Sequence, residues 1–223
     1  MANLSPDKRR RLRTAVRWLL LLLLVVVIVA FRFAEEIGFD RRPSDRFVVA
    51  KIEDGDTVEL LGGDRLRLLS VDTPEKGQPL YDEACRFLSD LTLGQQARIE
   101  FAGRRRDKYG RLLGYLYIDS LFINKAILDS GLGYLYLFKD TELNRPETKE
   151  LLTAQRNAMQ KGVGLWAIER SPEDYYVARA GSFRFHRPGC RSLRDLKPDR
   201  YHTYVSRNDA LREGLSPCRR CRP

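Results

Sequence analysis

The stretch FVVAKIEDGDTVELLGGDRLRLLSVDTPE, residues 47–75, decides the fold of this chain. Apolar and polar residues alternate along it in three runs, a period of two that is typical of half-buried β-strands. The runs cover residues 47–52, 57–61 and 65–71. Turns that contain glycine separate the runs at 54–56 and 62–64, as hairpins require. The stretch therefore predicts a three-stranded β-meander.

The residues after the meander predict the rest of a small barrel. Apolar positions at helical spacing predict a helix over 81–91, and two further strands are expected at 97–102 and 112–118. Two more helices are expected at 121–130 and 146–161. Five short strands with a helix inserted after the third favour an α+β fold, a closed five-stranded OB-type β-barrel with packed helices.

Composition and charge divide the chain into segments. Of its 223 residues 43% are hydrophobic, which excludes a disordered chain, and 4 Cys are too few for a disulfide scaffold. The net charge of +10 is uneven, with +6 in residues 1–34, −2 in 35–170 and +6 in 171–223. We expect a basic head and anchor over 1–34, a linker over 35–46, a barrel domain over 47–170 and a small module over 171–223. The basic surplus favours a polyanionic partner, nucleic acid or lipid headgroups.

The N-terminal segment predicts one transmembrane helix. A basic cluster precedes an uninterrupted apolar run from Trp18 to Phe31, and snorkelling of Arg17 and Arg32 would extend the usable helix to residues 14–34. The run alone is short for a span, so a cleaved signal peptide competes with the anchor, although no small residues mark a cleavage site. Both interpretations keep the N-terminus cytoplasmic and place the later domains outside the cytoplasm, anchored by a single pass or secreted after cleavage.

Three polar segments lie at the ends of the predicted strands. They are Asp54-Gly55-Asp56-Thr57, Arg67-Leu68-Leu69-Ser70-Val71-Asp72-Thr73-Pro74-Glu75 and Asp107-Lys108-Tyr109-Gly110-Arg111. Each alone is an ordinary turn sequence. In this order and spacing, across residues 47–166, they resemble the signature segments of the staphylococcal (thermo)nuclease family. The resemblance implies an enzyme that hydrolyses phosphodiester bonds of nucleic acids.

The resemblance also implies a calcium site. Asp56, Asp72 and the backbone carbonyl of Thr73 match the family's Ca²⁺ ligands, and Asp54 matches a carboxylate that lies behind them. A sparse set of hard oxygen ligands suits Ca²⁺, which tolerates irregular coordination and retained water. The cation would offset negative charge at the phosphodiester.

The catalytic and substrate-binding residues are likewise implied by the resemblance. Arg67 and Arg111 match the two arginines that bind the scissile phosphate, a role that suits the planar, permanently charged guanidinium. Glu75 matches the glutamate that activates or orients the attacking water, although the loop 76–80 after it is shorter than in the best-known members. Lys108, Tyr109 and Tyr136 match the family residues that hold the neighbouring phosphate and sugar. Tyr134 and Phe138 are alternatives to Tyr136. Packing on the barrel surface is the alternative role of the tyrosines.

Both histidines and three of the four cysteines lie in the C-terminal module. His186, Cys190, Cys218 and Cys221 have the spacing of a Cys₃His zinc site, in which a Cys-x-x-Cys knuckle shares one ion with a distant pair. A metal would stabilise a module too small to bury a large core. His202 is a spare ligand candidate, and a disulfide is the competing interpretation for an exported domain.

The segments around these ligands resemble the small zinc-binding domain of the Ada DNA-repair protein. The matching segments are 185–190, 206–210 and 214–221. His186 stands where that domain has its first cysteine, which counts against methyl transfer and favours a structural or DNA-tethering role. The charge of +6 fits phosphate contacts, with a solvated basic face as the alternative.

The residues and the resemblances together favour one function. We expect a membrane-tethered, extracytoplasmic, Ca²⁺-dependent nuclease that acts on DNA and RNA and leaves 3′-phosphate ends, with structural Zn²⁺ in its last module. We expect no protein partner, and endonuclease and exonuclease action stay open. The alternatives are a surface protein that binds or takes up DNA without cutting it, and a nuclease whose C-terminal module binds a protein or wall polymer.

Overall fold

A computed structural model describes residues 17–26, 46–138, 144–194 and 197–223. The chain divides into two compact units, Met1–Ser44 and Asp45–Pro223.

The first unit contains one described helix, α1 (17–26), whose apolar side chains are exposed. Among the described residues, no helix is both long and apolar enough to cross a membrane. Most of the predicted span at 14–34 and nearly all of the linker at 35–46 lie outside the described residues, so the anchor stays a prediction.

The second unit begins with a closed β-barrel. Its elements in chain order are β1 (Arg46–Asp54), β2 (Thr57–Leu60), β3 (Arg65–Leu68), β4 (Val71–Asp72), α2 (Tyr81–Thr92), β5 (Gln96–Arg106), β6 (Leu112–Ile118), β7 (Leu121–Phe122), α3 (Ile123–Asp129), β8 (Tyr134–Leu135) and α4 (Pro146–Lys161). The strand order is β3-β2-β1-β5-β6-β7, and parallel pairing of β3 with β6 closes the five long strands on themselves. The predicted α+β fold with a closed five-stranded barrel is confirmed.

The core lies inside this barrel and beneath its helices. Val49, Val58 and Leu66 of the meander are fully buried, as the alternation in their strands requires. Leu88 of α2 and Ile123 of α3 are also fully buried and belong to the same cluster. Each such side chain stabilises the fold by about 1.5–3 kcal/mol.

Several predicted elements have other bounds than expected, and three of the differences have a clear structural reason. The run 65–71 is two strands, because Ser70 has a φ of 61°, in the left-handed region, so that β3 ends at Leu68 and β4 pairs with β8. Strand β5 continues beyond 102 to Arg106 through an irregularity in its register with β6. The helix expected over 121–130 begins at Ile123, because the two residues before it pair with β6 as β7.

In its described residues the C-terminal module is a small sheet with one α-helix and two short 3₁₀ helices, Arg191–Leu193 and Pro198–Arg200. Its elements are β9 (Tyr176–Arg179), β10 (Arg184–His186), β11 (Tyr201–Tyr204), α5 (Arg207–Arg212) and β12 (Ser216–Pro217), in the strand order β11-β9-β10-β12. Ser206 and Asp209 form a capping box at the start of α5. Phe185 and Leu211 pack in one apolar cluster that Trp166 of the barrel domain joins. The module therefore shares a compact unit with the barrel.

Candidate functional site

The acidic residues of the first two motif segments meet at one end of the barrel. Asp56 lies in the turn after β1 and Asp72 ends β4, and both are buried. The backbone N–H of Thr73 donates to Oδ2 of Asp56 at 3.0 Å, which ties the turn to the end of β4. The backbone N–H of Asp56 in turn donates to Oδ1 of Asp54 at 3.0 Å. The fold thus brings together the residues predicted to hold Ca²⁺.

Arg67 joins the two buried carboxylates. Its Nη2 lies 2.8 Å from Oδ2 of Asp56 and 3.1 Å from Oδ1 of Asp72. Its Nη1 donates to the carbonyl of Val71 at 2.6 Å and to that of Leu68 at 2.9 Å. The side chain is only 12% exposed, so these contacts hold the guanidinium in one place.

Three carboxylates, Asp54, Asp56 and Asp72, lie at this cluster with two guanidinium groups, Arg67 and Arg219. Burial is the largest influence on Asp56 and raises its pKa to about 7; Arg67 lowers the pKa, and Asp54 and Asp72 raise it. A further positive charge at this cluster would relieve the repulsion among the carboxylates. Hard oxygen donors with unbalanced negative charge, beside the buried Thr73 and its carbonyl, fit a divalent cation such as Ca²⁺.

Glu75 lies at the solvent side of this cluster. Its backbone N–H donates to Oε1 of Gln78 at 3.2 Å, and its carbonyl accepts from the N–H of Gln78 at 2.9 Å. Gln78 therefore folds the short loop back on itself beside the predicted catalytic residue. The carboxylate of Glu75 is half exposed and can meet water.

The third motif segment forms the turn between β5 and β6. Asp107 accepts hydrogen bonds from the N–H groups of Tyr109 and Arg111, and Nε of Arg111 lies 2.8 Å from its Oδ2. Lys108 and Arg111 lie over the Tyr109 ring, which is 63% exposed. Arg111 immediately precedes β6, the strand that pairs with the β3 strand of Arg67, but the guanidinium of Arg111 engages Asp107.

The predicted substrate-binding Tyr136 lies between the barrel and the module. Its backbone N–H donates to the carbonyl of Ser70 at 3.0 Å, next to β4. The guanidinium of Arg184 lies over its ring at 3.3 Å, and the ring of Phe138 packs edge-on against it. Tyr134, the alternative, instead accepts a hydrogen bond at its hydroxyl from Arg207 at 3.0 Å.

One residue at the site was missed by the sequence reasoning. Arg219, inside the Cys-x-x-Cys knuckle, places its guanidinium against the carboxylate of Asp72, with Nη1 3.0 Å from Oε1 of Glu75. The knuckle itself was visible in the sequence, but no sequence signal indicated that one of its arginines reaches the barrel.

The predicted zinc ligands also converge. The ligand atoms of His186, Cys190, Cys218 and Cys221 all lie within 4.8 Å of one another, and the cysteines are free thiols. Nδ1 of His186 is buried without a hydrogen-bond partner among the described residues. Backbone N–H groups of Ser192 and Arg187 donate to the sulfurs of Cys190 and Cys221. An orphaned imidazole nitrogen beside three thiols fits a tetrahedral Zn²⁺ site. The spare candidate, His202, is exposed on β11.

Comparison with known proteins gives a family match over residues 65–168, to the staphylococcal nuclease homologues. A succinoglycan biosynthesis protein, ExoI, of Rhizobium meliloti is 33% identical over 154 residues, 63% of this chain and 73% of that protein. A micrococcal nuclease of Shigella flexneri is 28% identical over 59% of this chain and 79% of its own length. An uncharacterised endonuclease of Haemophilus influenzae is 33% identical over 53% of this chain.

The matched regions cover part of this chain and part of its relatives. The chain spans 65% of the length of the Haemophilus relative, less than two thirds. The family match begins at Arg65, after the turn that carries Asp54 and Asp56, and ends at Ile168, before the module. The resemblance of the module to the Ada zinc domain therefore stays a prediction.

Proposed function

Since the chain belongs to the family of staphylococcal nuclease homologues, we propose that it is a Ca²⁺-dependent nuclease that hydrolyses phosphodiester bonds in DNA and RNA and leaves 3′-phosphate ends. The supporting observation is the buried pair Asp56 and Asp72, joined by Arg67 beside the half-exposed Glu75. An OB barrel that only binds nucleic acid needs basic and aromatic groups, but not buried carboxylates that repel a phosphate.

Each group has a chemical role in this proposal. Bound Ca²⁺, held by Asp56, Asp72 and the carbonyl of Thr73, would supply Lewis-acid stabilisation of phosphate charge. Arg67, already between those carboxylates, holds a permanent positive charge where negative charge develops on the phosphate oxygens. Arg111, just before the neighbouring strand β6, is the second arginine for this charge.

Other residues accept the proton of the attacking water and bind the nucleotide next to the scissile bond. The exposed carboxylate of Glu75 takes the proton of the attacking water. The cationic and aromatic turn of Lys108 and Tyr109 binds the phosphate or sugar beside the scissile bond, and Tyr136 borders the same end of the barrel. Unpaired strands suit such a surface, because bases can stack on aromatic rings only when they are free of their partners.

The module and the N-terminal segment complete the proposal. The cluster of His186 with three cysteines would hold Zn²⁺ as a structural metal. The basic cluster and apolar run of residues 14–34 support a single-pass anchor with a cytoplasmic N-terminus and an extracytoplasmic catalytic domain, or secretion if the segment is cleaved.

Incubation of the full chain with single-stranded DNA tests the catalytic proposal. We expect cutting in Ca²⁺ that stops in chelator, and a loss of about 10²- to 10⁴-fold in Glu75→Gln. The matched control is Glu150→Gln, an exposed acid on α4, which should keep the rate. End-group analysis should find 3′-phosphates, and 5′-phosphates would overturn that assignment. Tight binding without cutting in either buffer would make the barrel a DNA-holding module.

A further inference from the structure

The metal knuckle of the C-terminal module delivers an arginine to the candidate active site. Arg219 lies 147 residues after Asp72 in the chain, yet its guanidinium contacts both carboxylate oxygens of Asp72, with Nε 3.4 Å from Oδ2. Its Nη1 lies 3.0 Å from Oε1 of Glu75. One side chain of the module thus touches a predicted cation ligand and the predicted proton acceptor.

The position of Arg219 is set by a built interface. Gln155 of α4 is fully buried and joins the two parts, since its Oε1 accepts from the N–H of Leu135 and its Nε2 donates to the carbonyl of Leu211, each at 2.8 Å. Arg184 donates to the carbonyl of Leu137 at 3.0 Å. Buried hydrogen bonds of this kind fix orientation, because breaking them leaves polar groups unsatisfied.

A cation at Asp72 would change the contact partners of Arg219. A divalent cation competes with the guanidinium for the same carboxylate, and the two positive charges repel each other. The guanidinium fork that fits a carboxylate also fits a phosphate oxygen pair. A phosphodiester bound at the cation and reached by Glu75 would therefore lie within the range of Arg219, whose side chain is 54% exposed and can shift.

A second arginine of the module borders the same surface. The guanidinium of Arg184 lies over the ring of Tyr136, the predicted sugar- or phosphate-binding residue. A cavity of about 280 Å³ runs between the two parts and is lined by Asp72, Glu75 and Tyr134 on the barrel side and by Cys218, Arg219 and Arg222 on the module side. The basic module thus faces the site with positive charge.

From these contacts we infer that Arg219 is a substrate-binding residue that contacts a phosphate of single-stranded nucleic acid, so that the zinc module forms one wall of the substrate groove. The inference rests on the proposed function of the barrel. Zinc bound by Cys218 and Cys221 would then help to position Arg219 at the active site, because these two ligands flank the arginine that contacts Asp72.

Binding of a fluorescent oligothymidylate to the full chain tests this role without cutting. In a Glu75→Gln background with Ca²⁺, Arg219→Ala should weaken binding about 10- to 100-fold and lower the magnitude of the salt slope by about 0.7. Arg219→Lys should recover part of the affinity, because it keeps the charge but not the fork. The matched control is Arg220→Ala, which removes the adjacent exposed arginine of the same knuckle and should change affinity less than about threefold.

Two results would overturn the inference. The first is equal binding by Arg219→Ala and Arg220→Ala. The second is faster cutting by Arg219→Ala in the Glu75 chain together with tighter Ca²⁺ binding by calorimetry, which would make Arg219 an inhibitory competitor of the cation. A chain that binds DNA through Arg219 and does not cut would contradict the proposed function alone, whereas a chain that cuts equally well without Arg219 would contradict this inference alone.

Discussion

A Cβ atom on Gly55 would lie 2.7 Å from Oγ1 of Thr73, closer than two such atoms can approach. It would lie equally close to Cβ of Ala84 in α2. The turn that carries Asp56 is therefore wedged between the helix and the end of β4, and only a residue without a side chain fits. This close packing brings the carboxylate of Asp56 to the N–H of Thr73 and, with it, to Asp72.

Gly55→Ala should therefore damage both the fold and the site. We expect the free energy of unfolding to fall by about 1–3 kcal/mol, the usual cost of an overpacked methyl group, and cutting to fall with it because the two aspartates separate. Urea unfolding of the full chain measures the first effect. Gly189→Ala is the control, because a Cβ there meets nothing within 4 Å. Equal midpoints for the two variants would contradict the packing argument.

Arg67→Ala should cost more than the loss of an ordinary surface arginine. It leaves the buried Asp56 without its cation and leaves Asp72 with Arg219 alone, and removal of one partner from a buried pair costs about 3–5 kcal/mol. We expect this loss of stability in chelator and a partial recovery of stability in Ca²⁺. We also expect kcat to fall about 10²- to 10³-fold.

The matched control for Arg67 lies on the same strand. Arg65→Ala removes a side chain that is 45% exposed and pairs at 3.6 Å with Glu53, so its effect on stability should stay below about 1 kcal/mol. Unfolding measured with and without Ca²⁺ compares the two variants. An Arg67→Ala chain as stable in chelator as Arg65→Ala would show that the carboxylates need no buried partner.

The barrel could be predicted because its strands carry the alternation that burial of one face imposes. The break at Ser70 could not, because a single left-handed residue leaves no mark in the hydropathy pattern. That break matters, since it turns Val71 and Asp72 away from β3 and onto β8. The direction of Arg67 depends on the same break, because its Nη1 is held by the carbonyl of Val71.

The candidate zinc ligands could also be predicted from the sequence, since a Cys-x-x-Cys spacing places two thiols at one ion whatever surrounds them. The contact of Arg219 with Asp72 was not, because it depends on how the module docks on α4 and β8, and docking is set by buried contacts far apart in the sequence. Cys218 and Cys221 can therefore be predicted as ligands from the sequence, whereas the role of Arg219 follows only from the folded unit.

The four candidate zinc ligands predict one zinc ion per chain. The purified chain should carry one zinc, and Cys221→Ser should lose most of it, because a ligand set with three members binds more weakly than one with four. Cys85→Ser is the control, since Cys85 lies half-buried in α2, far along the chain from the cluster, and should keep the metal. Plasma mass spectrometry gives the zinc content, and thiol titration tests the competing disulfide. Zinc-free protein with two oxidised cysteines would contradict the metal site.

The last prediction concerns the link between the barrel and the module. Gln155→Leu keeps the volume of a fully buried side chain but leaves the N–H of Leu135 and the carbonyl of Leu211 without their partner. Each unsatisfied group costs about 1–3 kcal/mol, so the variant should unfold at lower urea. Gln160→Leu, at an exposed position of the same helix, should leave the midpoint nearly unchanged. Because Leu135 lies in β8, next to β4 and Asp72, Gln155→Leu should also weaken oligonucleotide binding if the module forms a wall of the groove. A loss of stability with unchanged binding would separate the two roles and show that the module only stabilises the fold.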